Sequence, residues 1–302
     1  MKRSDRLPLI VALASASAVI WLSLRWATDI SIPIAEPVRE SRFVDKPVQY
    51  FGVVSRYTPR EIYLGYQPIM DYLSEKTPYL FELKLSTSYA GTAEQLGSGE
   101  ICAASLGSLI YVTSQKEYGL NVLLRPLNAK GKDYFHIVFV TRSDSPIEDL
   151  PDLRGKRLLF PSEESLTGQW MPHYLSAHSS IMPDDLLRYE FVPYHTTVAE
   201  RVLSGEFDAG VVKSVVADQY VAKGLKIFHI SPPIPSTPIV VSSQTPREIE
   251  KAISDALLAI DPADPGMRER LESWDEEFSH GFELAQNKDY DIIRNIIGSG
   301  TR

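Results

Sequence analysis

Four short stretches of this chain carry residue types suited to holding a small anion. They are Ser88-Tyr89-Ala90-Gly91-Thr92, Leu106-Gly107-Ser108, Ser165-Leu166-Thr167-Gly168 and His195-Thr196-Thr197. Each sets small residues, hydroxyls or an imidazole between a strand-like run and a helix-like run. At such a turn the first N–H groups of the helix lack an intrahelical acceptor, and the helix dipole favours negative charge. A plainer reading competes, because Ser165 and Thr167 are also ordinary helix caps. Glu163 and Glu164 share the third turn and are expected to face solvent, complementing the dipole. Either one inside a cleft would repel a dianion and favour a ligand with a donor group.

Other chemistry-bearing residues are weaker candidates. His195 is placed to donate to an anionic oxygen, with a charge expected to follow pH near neutrality. His136 and Tyr134 adjoin one another, and packing competes with ligand contact for His136. Lys213 suits an anion, with an exposed or interlobe position as its default. His173 and His178 are five apart and do not share a helical face, so they make no metal pair, and no metal or cofactor is expected. No GxSxG, Walker A, HExxH or GxGxxG run occurs, and nothing in the spacing of Ser165 and His195 supports a catalytic triad. The chain is therefore not expected to be an enzyme.

The elements that must position these turns alternate. VQYFGVVS reads as a strand, and Thr58-Pro59-Arg60-Glu61 as a capping box with Pro at the first helical position. Ile62, Tyr66, Ile69, Met70 and Leu73 then recur at helical spacing. FELKLS is a strand, TSYAGTAEQLGSG a short helix, ICAASL a strand and SLIYVTSQKEY a helix. After YFHIVFVT the strand–helix alternation restarts, ending in LKIFHIS. This order predicts a mainly parallel sheet with helices on both faces. EQLGSGEICAA (94–104) is echoed by ERVLSGEFDAG (200–210), each a helix stopped by Ser-Gly and followed by a strand, which predicts two related halves. Two of the four turns fall in each half. In open α/β sheets ligands bind beyond the carboxyl ends of the strands, so facing halves would bring four helix starts to one cleft.

The ends of the chain and its composition bound the compartment and the partners. The chain has 302 residues, 44 % hydrophobic and 23 % charged, with a net charge of −8. That is globular, and it disfavours nucleic acid as a partner. MKRSDR followed by the uncharged run Leu7 to Leu24 predicts a membrane anchor or signal segment over 1–27, with the body outside the cytoplasm. Residues 28–46, with mixed charge and prolines, read as a linker. The single cysteine, Cys102, excludes an intramolecular disulfide and is expected to be a buried thiol.

At the four turns the sequence resembles the phosphate/phosphite/phosphonate-binding, PhnD-like periplasmic solute-binding proteins of ABC importers. The resemblance runs from about Gln49 to Ile297. It is carried by Phe51-Gly52-Val53-Val54, TSYAGTAEQLGSGEICAASLGSLIY, LRPLNAKGKDYFHIVFVTRSDSPIEDLPDLRGKR, SLTGQWMP, SGEFDAGVVKSVVADQY, SPPIPSTPIVV and GFELAQNKDYDIIRNII. It implies that Tyr89 lines the pocket, that Ser165 and Thr167 clamp the anion, and that His195 contributes. The family's Ser-Thr-Ser-Gly has Leu166 at its second place, Ser105 stands where an aromatic is usual, and His136 replaces a serine. The acidic residue usual near the fourth strand is absent, with Cys102 at that place.

The resemblance implies a two-lobed, type II periplasmic-binding-protein fold. Lobe I is expected at 47–133 plus 237–302 and lobe II at 134–236, with crossovers near Asp133 to His136 and Pro232 to Pro238. The expected ligand-binding set is Tyr89, Gly107, Ser108, Tyr134, His136, Ser165, Thr167, Gly168, His195 and Thr196. The implied function is capture of a small phosphorus oxyanion for an ABC permease, in the bacterial periplasm or on the outer face of the cytoplasmic membrane. The alternative is a membrane-tethered sensor or interaction module, partnered by a membrane signalling protein, with an altered or lost ligand.

Overall fold

The computed structural model describes residues 45–54 and 56–299. The expected anchor at 1–27 and nearly all of the linker lie outside the described residues. Among the described residues, no helix is long and apolar enough to cross a membrane.

The first half follows the sequence periods closely. Strand β1 (Val48–Val53) leads to helix α1 (Pro59–Lys76), where Thr58 and Glu61 form the expected capping box. Ile62, Tyr66, Ile69, Met70 and Leu73 face inward, as the i, i+4, i+7 spacing requires. There follow β2 (Leu80–Leu85), α2 (Tyr89–Gly97), β3 (Ala103–Ser105), α3 (Ser108–Tyr118) and β4 (Leu120–Pro126). A short β5 (Tyr134–Phe135) precedes the second half, which runs β6 (Ile137–Arg142), β7 (Arg157–Phe160), α4 (Leu166–Ser179), β8 (Arg188–Phe191), α5 (His195–Leu203), β9 (Ala209–Lys213), α6 (Ser214–Val221) and β10 (Leu225–Ile230). The chain then returns through β11 (Ile234–Pro235) to β12 (Ile239–Ser242), α7 (Arg247–Leu258), α8 (Pro265–Leu271), β13 (Phe282–Leu284) and α9 (Asp291–Ser299).

Two sheets result, one per lobe. The six-stranded sheet has the order β13-β4-β12-β3-β1-β2, and the five-stranded sheet the order β10-β6-β9-β7-β8. β5 and β11 pair antiparallel as a separate two-stranded ribbon, Ile234 opposite Phe135 and Pro235 opposite Tyr134. The expectation of mainly parallel sheets is corrected: both are mixed. β12 runs antiparallel to β3 and β4, and β6 runs antiparallel to β9 and β10. The cause is connectivity. β6 and β12 enter their sheets from the ribbon side, and so run against strands that the βα units send toward it.

The echoed segments have the same geometry. Gly99 and Gly205 both take the left-handed conformation, at φ 76° and 79°. The residues after them close the same loop, Glu100 N–H to Gln95 O at 2.9 Å and Glu206 N–H to Arg201 O at 3.0 Å. Only glycine adopts that φ without a steric cost, which is why the echo survives in the sequence. Cys102 is a buried free thiol, as expected, and burial pushes its pKa up to about 12.

Candidate functional site

All four turns reach one small cavity between the two sheets. Its wall contains Tyr89, Gly107, Ser108, Ser165, Leu166, Thr167 and His195, so each turn contributes. Val54, Arg56, Phe135, Glu164, Lys213 and Thr237 are also part of it. The cavity is about 30 Å³, room for about two waters at ~15 Å³ each.

The helix starts are capped unequally. Ser88 accepts from Gly91 N–H at 3.0 Å, and Ser165 accepts from Gly168 N–H at 3.0 Å. The Ser165 hydroxyl also gives its one proton to Ser162 O at 2.7 Å. Ser165 is thus a helix cap, while Thr167 beside it is buried at the cavity wall. α3 and α5 have no side-chain cap at Gly107 or Tyr194. The His195 N–H of α5 is taken by Arg56 O at 3.4 Å, and the other first-turn N–H groups of the two helices have no side-chain cap.

Two of the expected residues stay out of this cavity, and two line another. Gly168 gives its N–H to Ser165, and a Cβ there would lie 2.2 Å from Ser162 O. Thr196 is buried behind His195 and is not part of the wall. Tyr134 and His136 line a second cavity of about 550 Å³ that shares Phe135 and Thr237 with the first. His136 is held there, Nδ1 to Ser231 O at 2.8 Å, with its ring edge-on to Tyr134. Packing is the geometry found for it.

One further expectation is corrected. His195 does not titrate near neutrality. Burial, then the nearby Lys213 and Arg56, lower its pKa to about 3. Its Nδ1 accepts the Lys213 backbone N–H at 3.3 Å, so the neutral ring carries its proton on Nε2 and remains a donor. Glu164 is exposed, as expected, and also borders the cavity, where its Oε2 accepts Ala90 N–H at 3.1 Å.

A buried ionic cluster, invisible in the sequence, backs the cavity. The Arg56 Nη1 donates to Glu277 Oε2 at 2.6 Å, and Nη2 to Asp275 Oδ1 at 3.2 Å and to the Tyr66 hydroxyl. Lys213 Nζ donates to Glu277 Oε1 and to Thr237 Oγ1, both at 2.7 Å, and Thr237 donates to Glu277 Oε2 at 2.9 Å. Burial opposes the charge on Arg56, but Glu277, Tyr66 and Asp275 outweigh it and raise its pKa. Burial lowers Lys213 to about 8, with Glu277 opposing. Burial would raise Glu277, yet Arg56 and Lys213 hold it below the usual carboxylate range. Asp275 is raised by burial despite Arg56. Lys213 lies in the five-stranded-sheet lobe and Glu277 follows the return to the other, so their ion pair spans the cleft.

Arg56 sits in the β1–α1 turn, and the search for hydroxyl-rich turns passed over it. A lone cation just past the first strand was the available signal. Glu277 and Asp275 lie more than 200 residues along the chain from Arg56, in a short turn with no motif. Two polar atoms of the cavity wall are buried without a partner: Arg56 Nε and the Tyr89 hydroxyl. Buried donors left unpaired are costly, so such atoms mark where a ligand's acceptors belong.

Known proteins share this fold. Residues 51–290 match the family described as "ABC transporter, phosphonate, periplasmic substrate-binding protein". The phosphonates-binding periplasmic protein of Escherichia coli (strain K12) is 25 % identical over 201 residues, 63 % of this chain and 59 % of that one. This chain therefore aligns with about three fifths of that relative's length. A binding protein component of an ABC phosphonate transporter from Pseudomonas aeruginosa superposes with a TM-score of 0.74 at 18 % identity, covering 84 % of this chain and 86 % of the other. PhnD1 from Prochlorococcus marinus (MIT 9301), in complex with methylphosphonate, gives 0.73 at 18 % identity, covering 84 % and 98 %. The two superpositions establish the two-lobed fold, and the family match covers most of the chain. The chain belongs to the phosphonate periplasmic substrate-binding proteins of ABC transporters.

Proposed function

We propose that this protein captures a small phosphorus oxyanion (phosphate, phosphite or a phosphonate) between its lobes and delivers it to an ABC permease. The observation that carries this is the meeting of four helix starts at one cavity, beside Arg56 and Lys213 and two unpartnered buried donors. Unpaired N–H groups, the Thr167 and Ser108 hydroxyls and a neutral His195 donor suit tetrahedral oxygens. The family is a substrate-binding component of a transporter, which suits a site built from hydrogen-bond donors.

The cavity as closed is too small for a methylphosphonate, so capture follows opening of the lobes, and closure completes the contacts. Lobe I comprises 47–133 with 237–302, lobe II comprises 134–236, and the β5–β11 ribbon is the hinge. Ser165 fixes the turn, and Tyr89, Gly107, Ser108, Thr167 and His195 contact the anion. The basic start and apolar run over 1–27 would tether or export the body to the periplasmic side of the cytoplasmic membrane.

Thermal unfolding tests the reading, with phosphate, phosphite, methylphosphonate, aminoethylphosphonate, sulfate and small carboxylates as ligands. A ligand at 100 times its dissociation constant adds roughly 2.7 kcal/mol, on the order of several degrees for a body of this size. A shift confined to phosphorus oxyanions is the expected result. No shift with any of them would sink the reading and turn attention to protein partners.

A further inference from the structure

Glu164 answers a question that the fold leaves open, namely which charge state the cleft accepts. The inference rests on the oxyanion reading above. Glu164 belongs to the turn before α4, which follows β7 of the five-stranded sheet. Its carboxylate accepts the N–H of Ala90, the second residue of α2, which follows β2 of the six-stranded sheet. The contact therefore crosses the cleft. The next N–H, of Gly91, is already taken by Ser88. The unpartnered hydroxyl of Tyr89 stands at the same helix start. A seat for an anion is thus built at α2, and the chain's own carboxylate fills it.

The charges around the cavity close without a surplus. Arg56 and Lys213 are its cations, and Asp275 and Glu277 pair with them. His195 is neutral near pH 7. Glu164 has no ion-pair partner among the described residues and adds one more carboxylate at the wall. An incoming dianion would meet no unmatched cation and one facing carboxylate at the exposed mouth of the cavity.

We propose that Glu164 is the specificity-determining residue of this cleft. By occupying the α2 seat it rejects dianions and admits a singly charged phosphorus oxyanion, held by the remaining donors of the α3, α4 and α5 starts. A glutamate that merely caps α2 would leave charge selection untouched.

Isothermal titration calorimetry of the full chain at pH 7.5 separates these two roles. The probes are inorganic phosphate, mostly dianionic at that pH, and hypophosphite, which is singly charged. Glu164→Gln keeps an acceptor oxygen for Ala90 and removes only the charge, and Glu163→Gln is the neighbouring exposed control. The wild type should prefer hypophosphite. Glu164→Gln should gain about tenfold or more for phosphate and about threefold or less for hypophosphite, and Glu163→Gln should gain neither. Unchanged phosphate affinity in Glu164→Gln, with hypophosphite still bound, overturns the proposal while the oxyanion reading stands. An equal gain in Glu163→Gln overturns it too, because the effect would then be a general field. Failure of every phosphorus oxyanion to bind wild type and Glu164→Gln alike removes the oxyanion reading itself, and this proposal with it.

Discussion

His195 offers the most direct quantitative test, because its environment sets both a sign and a size. The ring is only 3 % exposed, and burial, then Lys213 and Arg56, hold its pKa at about 3. In the unfolded chain the same ring titrates near ~6.5. Between those values the unfolded state binds more protons than the folded one. Stability from this group is therefore complete above about pH 6.5 and is lost as pH falls toward 3. At pH 4 the loss from this one residue comes to about 3 kcal/mol. The perturbation is His195→Asn, whose Oδ1 can accept the Lys213 N–H in place of Nδ1 and does not titrate. Denaturant unfolding of both proteins at pH 7 and pH 4 is the assay. The other acidic groups are common to both, so the wild type should lose roughly 3 kcal/mol more than the variant. Histidine ¹⁵N resonances give an independent check, since the His195 ring should stay neutral from pH 5 to 8. Equal acid losses in the two proteins, or a His195 ring titrating near 6.5, would refute the reasoning. The functional corollary is a donor to the ligand whose presence does not vary across physiological pH.

Two further substitutions separate ligand contact from scaffold. Thr167→Ala removes a hydroxyl from a buried residue of the cavity wall, so oxyanion affinity should fall by about 1–3 kcal/mol while the melting temperature of the unliganded protein barely moves; unchanged calorimetric affinity would reduce this turn to a helix cap. Gly168→Ala places a Cβ 2.2 Å from the Ser162 carbonyl, a backbone atom that cannot rotate away. Denaturant unfolding should show a loss of about 1–3 kcal/mol, and wild-type stability would mean that the turn relaxes freely.

Much of the fold was legible because local rules and tertiary demands coincide. The Thr58–Glu61 capping box, the α1 stripe from Ile62 to Leu73 and the Ser108–Tyr118 helix all appear where spacing and caps placed them. The Ser-Gly echo was readable because a left-handed φ admits little besides glycine. The candidate site was legible only in part. Turns rich in small residues can be found from sequence, and all four meet at the cavity. The split within the third turn could not, since Ser165 and Thr167 look equivalent until Ser165 is seen to give its proton to Ser162. Tyr134, Phe135 and His136 all line the second cavity, and only Phe135 also reaches the first, which their adjacency in the sequence does not reveal.

The sequence by itself determined the alternating elements, their caps, the hydroxyl-bearing turns and the family. These depend on residues a few positions apart, where spacing, φ preferences and local hydrogen bonds decide. The tertiary structure alone decided the strand directions at β6 and β12, the pairing of Arg56 and Lys213 with Glu277, the neutrality of His195 and the reach of Glu164 across the cleft. Those outcomes depend on which charges are buried together and which lobe faces which. Electrostatic energies follow distance in space and local screening, and the order of residues along the chain encodes neither directly.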